Sequence, residues 1–459
     1  MRGAAEARTG FALAVPGWLA AGLLFAGVLA IAPVAGSLAR FVFILGCAGV
    51  GWHAWRQGRA AHLQTMLVLF SFAPFARRIV DFFSGFDQGG IMLVGPLLAL
   101  LAAVPALLPL LDGQSDPLGG GRAPLTIVFG CVVYAALLSL FQGGWGDASA
   151  GALKWAAPLL YGLALIETGE RDRLVQAATS AFMVILPVIG LYGAFQYVDP
   201  PEWDRYWMQF ATAVTAGLPE PYEVRVYSML NGPASFATFT AAGLLLVSFL
   251  RPLWVSCLVC GPALLALMLS QYRTAWISLA VGLLFCVFFV RTRFRAGTIL
   301  SAMAAAGAFA ATIPPFSDVL EERLATLGQG SDDGSFQERL AQFVTLWNLP
   351  DSSLFGTGFT TADAGVAGQM PVDGMLIACW LMMGVFVGLI CLAAFVWAAG
   401  RMIAGAVAGQ TPEAIVLGGL GCGALSQMPL ASLASGELGF LFWSFAAIAC
   451  LPEKGGRRW

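Results

Sequence analysis

The stretch LWVSCLVCGPALLALMLSQYRTAWISLAVGLLFCVFFV, residues 253–290, decides what kind of protein this is. Two apolar runs flank one short polar break, Ser270-Gln271-Tyr272-Arg273-Thr274. Each run approaches the roughly 20 residues that a bilayer core requires. Arg273 is the only charged side chain in the stretch. A permanent charge beside hydrocarbon is costly unless it meets an anion or a carboxylate, so its position needs a reason.

The rest of the chain repeats the pattern. Of 459 residues, 59% are hydrophobic and only 11% are charged, where a soluble protein carries about a quarter. Mean hydropathy is +0.80. These values predict an all-α polytopic membrane protein with about 12–14 transmembrane helices. The expected spans centre near residues 23, 46, 69, 100, 133, 159, 185, 241, 261, 282, 305, 386, 421 and 444. The third, Leu63 to Phe75, reads as short. The first run, Phe11 to about Val34, is too long for a signal peptide and reads as a retained span. The net charge of −2 says nothing about nucleic acid, but no basic tract or basic-aromatic interleaving appears, so no nucleic-acid partner is expected; the bilayer is the partner that composition implies.

All nine cysteines lie in apolar runs, and the Cys257-Cys260 pair reads as small apolar side chains rather than a redox motif. His53 and His62, beside Arg56 and Arg59, read as a solvated interfacial cluster rather than a metal site. No metal and no cofactor is implied.

Threading the spans from a cytoplasmic N-terminus puts most of the 24 basic residues inside and most of the 26 acidic residues outside. Both termini are then cytoplasmic. Two connections are long and face outward: 199–232 and 314–372. The second far exceeds ordinary loop length and is expected to be functional. Asp318 to Leu327 and Ser335 to Trp347 within it have helical spacing suited to the membrane surface.

The outer face also holds the exceptions to the charge rule. Arg225 opens RVYSMLNGP directly before a span, Arg273 opens another, and Arg339 lies in the long loop. An arginine fork holds phosphate oxygens bidentately, as lysine cannot; the competing reading is contact with lipid headgroups or nearby acids. Arg77 and Arg78 stand near Asp81; an Arg77–Asp81 ion pair is the favoured reading there, and guidance of an anionic lipid is the second. Gly356 and Gly358 in LFGTGF permit a tight turn close to a ligand. Asp373 precedes an apolar helix and is either a helix N-cap or a carboxylate acting on a sugar hydroxyl.

Taken in order, RVYSMLNGPASFA (225–237), SQYRTAW (270–276), and Arg339 with Trp347, Pro350, LFGTG (354–358), Val372-Asp373-Gly374 and Gly384 resemble the motifs of the bacterial O-antigen polymerase and ligase family. The resemblance covers about residues 199–400. It divides the chain into an N-terminal bundle (1–198), a catalytic region (199–400) with a large periplasmic loop, and C-terminal helices with a tail (401–459). It implies a glycosyltransferase of the bacterial inner membrane acting on an undecaprenyl-diphosphate-linked oligosaccharide. Arg225, Arg273 and Arg339 would bind the diphosphate without a metal, and Arg77 and Arg78 would guide the substrate. Polysaccharide export and chain-length proteins are the implied partners.

The chain departs from the ligases, which carry a histidine near the end of the large loop; neither histidine here is outward-facing. This favours polymerisation of repeat units, for O-antigen, capsule or exopolysaccharide, over transfer to lipid A core. Asp373 and Glu338 are then the candidate bases. A flippase or transporter is the alternative from another class, but its charges and helix breakers should sit at mid-membrane.

Overall fold

Every expected span centre falls within a helix. The structure, a computed structural model, describes residues 15–452 except 114, 115, 117, 143, 212–215, 311, 313–340, 342, 343, 345, 346, 349–351 and 360–373. The first helices are α1 (Gly17–Ala35), α2 (Leu38–Gln57), α3 (Arg59–Ser84), α4 (Ile91–Leu111, alternating α and 3-10 turns), α5 (Ala123–Phe141), α6 (Trp145–Thr168) and α7 (Arg171–Val198). Then come α8 (Glu202–Phe210), α9 (Pro233–Leu250), α10 (Leu253–Leu269), α11 (Arg273–Val287), α12 (Arg293–Ala310), α13 (Ser352–Phe355), α14 (Met375–Gly409), α15 (Pro412–Gln427) and α16 (Gly436–Cys450). Among the described residues no strand forms; Gly217 and Val224 make an isolated bridge.

Helix is the required solution, because hydrocarbon offers the backbone no hydrogen-bond partners. Among the described residues eight helices are long and apolar enough to cross a membrane, and α10, α11 and α16 are apolar but shorter. In α9, 72% of the apolar window is buried, against 17% in α1, which makes α9 central and α1 peripheral. Outward side chains such as Leu45, Leu137, Leu191, Trp254 and Leu389 are apolar and exposed, as lipid contact requires.

Small residues let the central helices touch. A methyl group on Gly190 of α7 would stand 2.5 Å from the Ala263 backbone nitrogen of α10, and one on Gly193 would press on Ala266 and Val226. Close backbone approach through such residues is the usual packing device between membrane helices. It fixes the ends of α7 and α10 against each other.

Three expectations change. The short third apolar run lies in a longer helix: α3 runs 26 residues, continuing through Arg77, Arg78 and Asp81 because these charges find internal partners, and it is not among the eight helices apolar enough to cross by composition. The histidines do not form a solvated cluster. His53 is exposed and bonds the Val15 carbonyl at 2.8 Å, whereas His62 is fully buried, edge-on to Trp55 and 3.3 Å from the Ala99 carbonyl.

The third change concerns α14, which is a hairpin rather than one span. Gly384 is non-helical inside it (φ 73°, ψ 178°). Cys379 and Cys391 bring their sulfurs within 3.8 Å, although twelve residues of straight helix span about 18 Å. The segment 375–383 therefore folds back on 385–409. The break leaves carbonyls that α13 and the glycine turn after it satisfy: Thr357 N–H donates to Leu381 O (2.8 Å) and Gly358 N–H to Met382 O (2.9 Å).

Gly384 has no room for a side chain, since its Cβ would lie 2.2 Å from the Leu354 carbonyl oxygen. Gly384→Ala is expected to destabilise the protein by about 2 kcal/mol or more, as strain of this kind costs. Gly400→Ala, in open space on the same helix, is the control. Thermal unfolding of the purified proteins in detergent should show a lowered midpoint for the first and none for the second.

Candidate functional site

Arg78 organises one end of the bundle. Its side chain is 1% exposed, and its Nε lies 2.7 Å from Asp204 Oδ1 on α8. Its two terminal nitrogens donate to the carbonyls of Leu230 (2.6 Å) and Ser228 (2.5 Å). The guanidinium also lies over the ring of Tyr227, 4.9 Å from its centroid. Burial pushes the Tyr227 phenol well above its ordinary range, so this neighbour stays protonated.

Asp204 is satisfied from the other side by Tyr192 Oη (2.8 Å) and Gln196 Nε2 (2.6 Å) of α7. Gln196 then accepts from the backbone N–H groups of Tyr227 (3.2 Å) and Ser228 (2.8 Å) through its carbonyl oxygen. Ser228 adopts φ 52°, a left-handed conformation that a non-glycine residue holds only when its surroundings over-determine it. The network supplies that constraint. It pins the segment leading into α9, where Pro233 occupies a first-turn position suited to its missing N–H.

This anchoring brings two of the sequence motifs together. Arg225 closes a short turn through its N–H to the Ala216 carbonyl (2.8 Å). Val226 N–H donates to Leu269 O (3.2 Å), and Arg225 Nη2 reaches the Gln271 carbonyl at 3.5 Å. The RVYSMLNGP segment thus lies against the SQYR turn between α10 and α11. That turn is tight: Gln271 is left-handed (φ 53°), Ser270 Oγ accepts from Tyr272 N–H (3.3 Å), and Trp276 Nε1 donates to Leu267 O (3.0 Å). Arg225 and Arg273 are both half-buried. Arg273 begins α11, where the helix dipole adds positive potential. Two guanidiniums at a helix N-terminus make a place that favours an anion.

The expected Arg77–Asp81 pair is present, with Nε 3.3 Å from Oδ2. Arg40 holds the other carboxylate oxygen at 2.9 Å, and Arg77 also donates to the Asp87 carbonyl (2.5 Å). The charges of Arg77 and Arg78 are therefore both turned inward. The close approach made by Gly356 and Gly358 is to protein: added Cβ atoms would meet the backbone of α14 and of α5, respectively. Phe359 N–H donates to Ser139 Oγ (2.5 Å). Arg339, Glu338 and Asp373, and the surface helices expected at 318–327 and 335–347, lie outside the described residues, apart from isolated positions such as Trp347.

Sequence reasoning missed Asp204, Gln196 and Arg40. Asp204 carried a usable signal, since it stands three residues before Trp207 on the same face of an amphipathic helix. Gln196 carried none.

An all-helical apolar bundle with polar loops packed at one end is a multi-pass membrane protein. Residues 258–373 match the family model described as O-Antigen ligase, and that match supports the resemblance of this part of the chain to the O-antigen ligase/polymerase family, whose members are membrane glycosyltransferase-like enzymes. The match begins within α10, takes in the SQYRTAW turn with Arg273, and ends at Asp373; Arg225 lies before it. No curated protein matches the chain.

Breaking the buried pair tests the anchor. Arg78→Met or Asp204→Leu alone should each cost about 3–5 kcal/mol, because each leaves a buried charge unpaired. The double variant should cost less than the two singles added together. Unfolding midpoints of the purified variants, analysed as a double-mutant cycle, measure this; additive losses would remove the pair from its anchoring role.

Proposed function

We propose that this protein polymerises undecaprenyl-diphosphate-linked oligosaccharide repeat units into a bacterial surface polysaccharide. The observation that carries the reading is the juxtaposition of Arg225 with the turn that opens into Arg273, within a chain that resembles the O-antigen ligase/polymerase family. In this reading the site faces the periplasm from the inner membrane and both termini are cytoplasmic, supported by the distribution of basic and acidic residues between the two sides.

Arg225 and Arg273 hold the donor diphosphate, and Arg339 positions donor or acceptor. The acceptor hydroxyl oxygen bonds to the anomeric carbon as the bond from that carbon to the diphosphate oxygen breaks. The leaving diphosphate takes the electron pair, and the guanidiniums stabilise its growing charge. The hydroxyl proton passes to a carboxylate, for which Asp373 and Glu338 are the candidates. The guanidiniums supply the charge that a metal would otherwise provide. Because Arg77 and Arg78 already have internal partners, their contribution to substrate guidance is indirect, through the scaffold that holds Arg225.

The test replaces Arg273 by Ala and by Lys and follows polysaccharide length in cells, with protein level monitored. Loss of one such transition-state contact reduces turnover by about a hundredfold or more. Lysine should not restore it, because a point charge cannot reproduce the bidentate fork. Wild-type polymer from both variants at normal protein level would end the diphosphate role. Accumulated single repeat units mark a polymerase. Full-length polymer left on its lipid carrier marks instead a ligase, the activity in the family description.

A further inference from the structure

Resting on that reading, we infer that a second cavity, with polar and aromatic groups in its lining, binds a neutral sugar unit of the acceptor glycan. The cavity has a volume of about 340 Å³ and is lined by Asp147, Lys154, Ser432, Ser435, Trp155 and Phe359, a size at the lower end of small-molecule sites.

Its position is tied by contacts to the scaffold around Arg78. Arg78 holds Leu230 just before α9; Ser235 in the first turn of α9 donates to Glu437 Oε1 (2.6 Å) on α16. Gly436, the preceding residue, stands against Lys154, whose Cε lies 3.3 Å from where a Gly436 Cβ would be. The segment that carries Arg225 therefore runs on into the helix whose first turn meets the rim of the cavity.

The chemistry of the lining selects its occupant. Asp147 and Lys154 are seven residues apart on α6, which puts them on one face but about 10 Å apart along the axis. They cannot easily close on each other, and neither side chain has an ion-pair or hydrogen-bond partner among the described residues. One carboxylate accepts, one ammonium donates, and two serine hydroxyls do both. This is a set for hydroxyl groups, and its formal charges cancel. A phosphate would prefer the two guanidiniums of the arginine site, and an acyl or prenyl chain would strand both charges. Trp155 and Phe359, both buried, add ring surface with centroids 6.5 Å apart, which suits the apolar face of a pyranose. Gly151 makes room for this arrangement: a Cβ there would stand 2.3 Å from the Phe359 ring.

The test uses the full chain in lipid nanodiscs and two probes. Undecaprenyl diphosphate reports on the arginine site. Oligosaccharides released from the host strain's own surface polysaccharide report on the cavity. Asp147→Asn and Lys154→Met should each weaken oligosaccharide binding by about tenfold. Gly151→Leu, which drives Phe359 into the cavity, should abolish it, and Lys154→Arg should retain it. All four should bind undecaprenyl diphosphate as the wild type does, which also verifies their fold. Unchanged oligosaccharide affinity in the first three variants would overturn the assignment, as would absence of oligosaccharide binding to the wild type. A wild type that binds the oligosaccharide but not undecaprenyl diphosphate would sink the donor reading and leave the cavity assignment standing.

Discussion

The Arg78–Asp204 pair is the fastener on which one whole end of the bundle depends. An arginine buried to 1% exposure is tolerable only because each face of its guanidinium is used: a carboxylate, two carbonyls and an aromatic ring. The partners come from far along the chain, up to 152 residues away. Such a pair adds little net stability compared with a well-packed apolar core, yet losing one member is expensive. Its effect is to specify geometry. It ties α3 to α8 and, through Gln196 of α7, sets the path of residues 226–230. Arg225 sits one residue before that path, so its place beside Gln271 follows from charges that never reach the surface.

A second constraint acts on the backbone. Where hydrocarbon surrounds a chain, an interrupted helix must have its freed groups met from elsewhere. Gly384 interrupts α14, and the turn at 356–358 supplies donors to Leu381 and Met382. The glycines of LFGTGF are needed for this close approach. The short arm 375–383 that results lines the polar cavity through Ala378 and Met382. One break in one helix thus contributes a wall to the proposed acceptor site.

How much of this was legible in the sequence depends on the range of the interaction. Helical spans were visible because burial in a bilayer demands long apolar runs, and each centre lies in a helix. The Arg77–Asp81 pair was visible because helix geometry fixes its spacing. Gln196 and Arg40 were not, since their partners come from other helices and nothing local distinguishes them. The hairpin at Gly384 was hidden for a related reason: a glycine in a membrane helix is usually a packing residue, and only the neighbouring Leu354 carbonyl reveals the left-handed turn. The third apolar run is short because charge follows it, and the helix continues past it because that charge is paired and buried.

Differences in charge balance divide the work between the two proposed sites. Arg40, Arg77 and Asp81 satisfy one another, and so do Arg78 and Asp204. Arg225 and Arg273 stand at a helix N-terminus, and Asp147 and Lys154 form a balanced pair in the cavity lining. A diphosphate and an uncharged sugar differ mainly in charge, so sites of unlike net charge sort them without a gate between them. In the proposed reaction the acceptor hydroxyl is brought to a donor whose leaving group is already held, which is what glycosyl transfer requires of geometry.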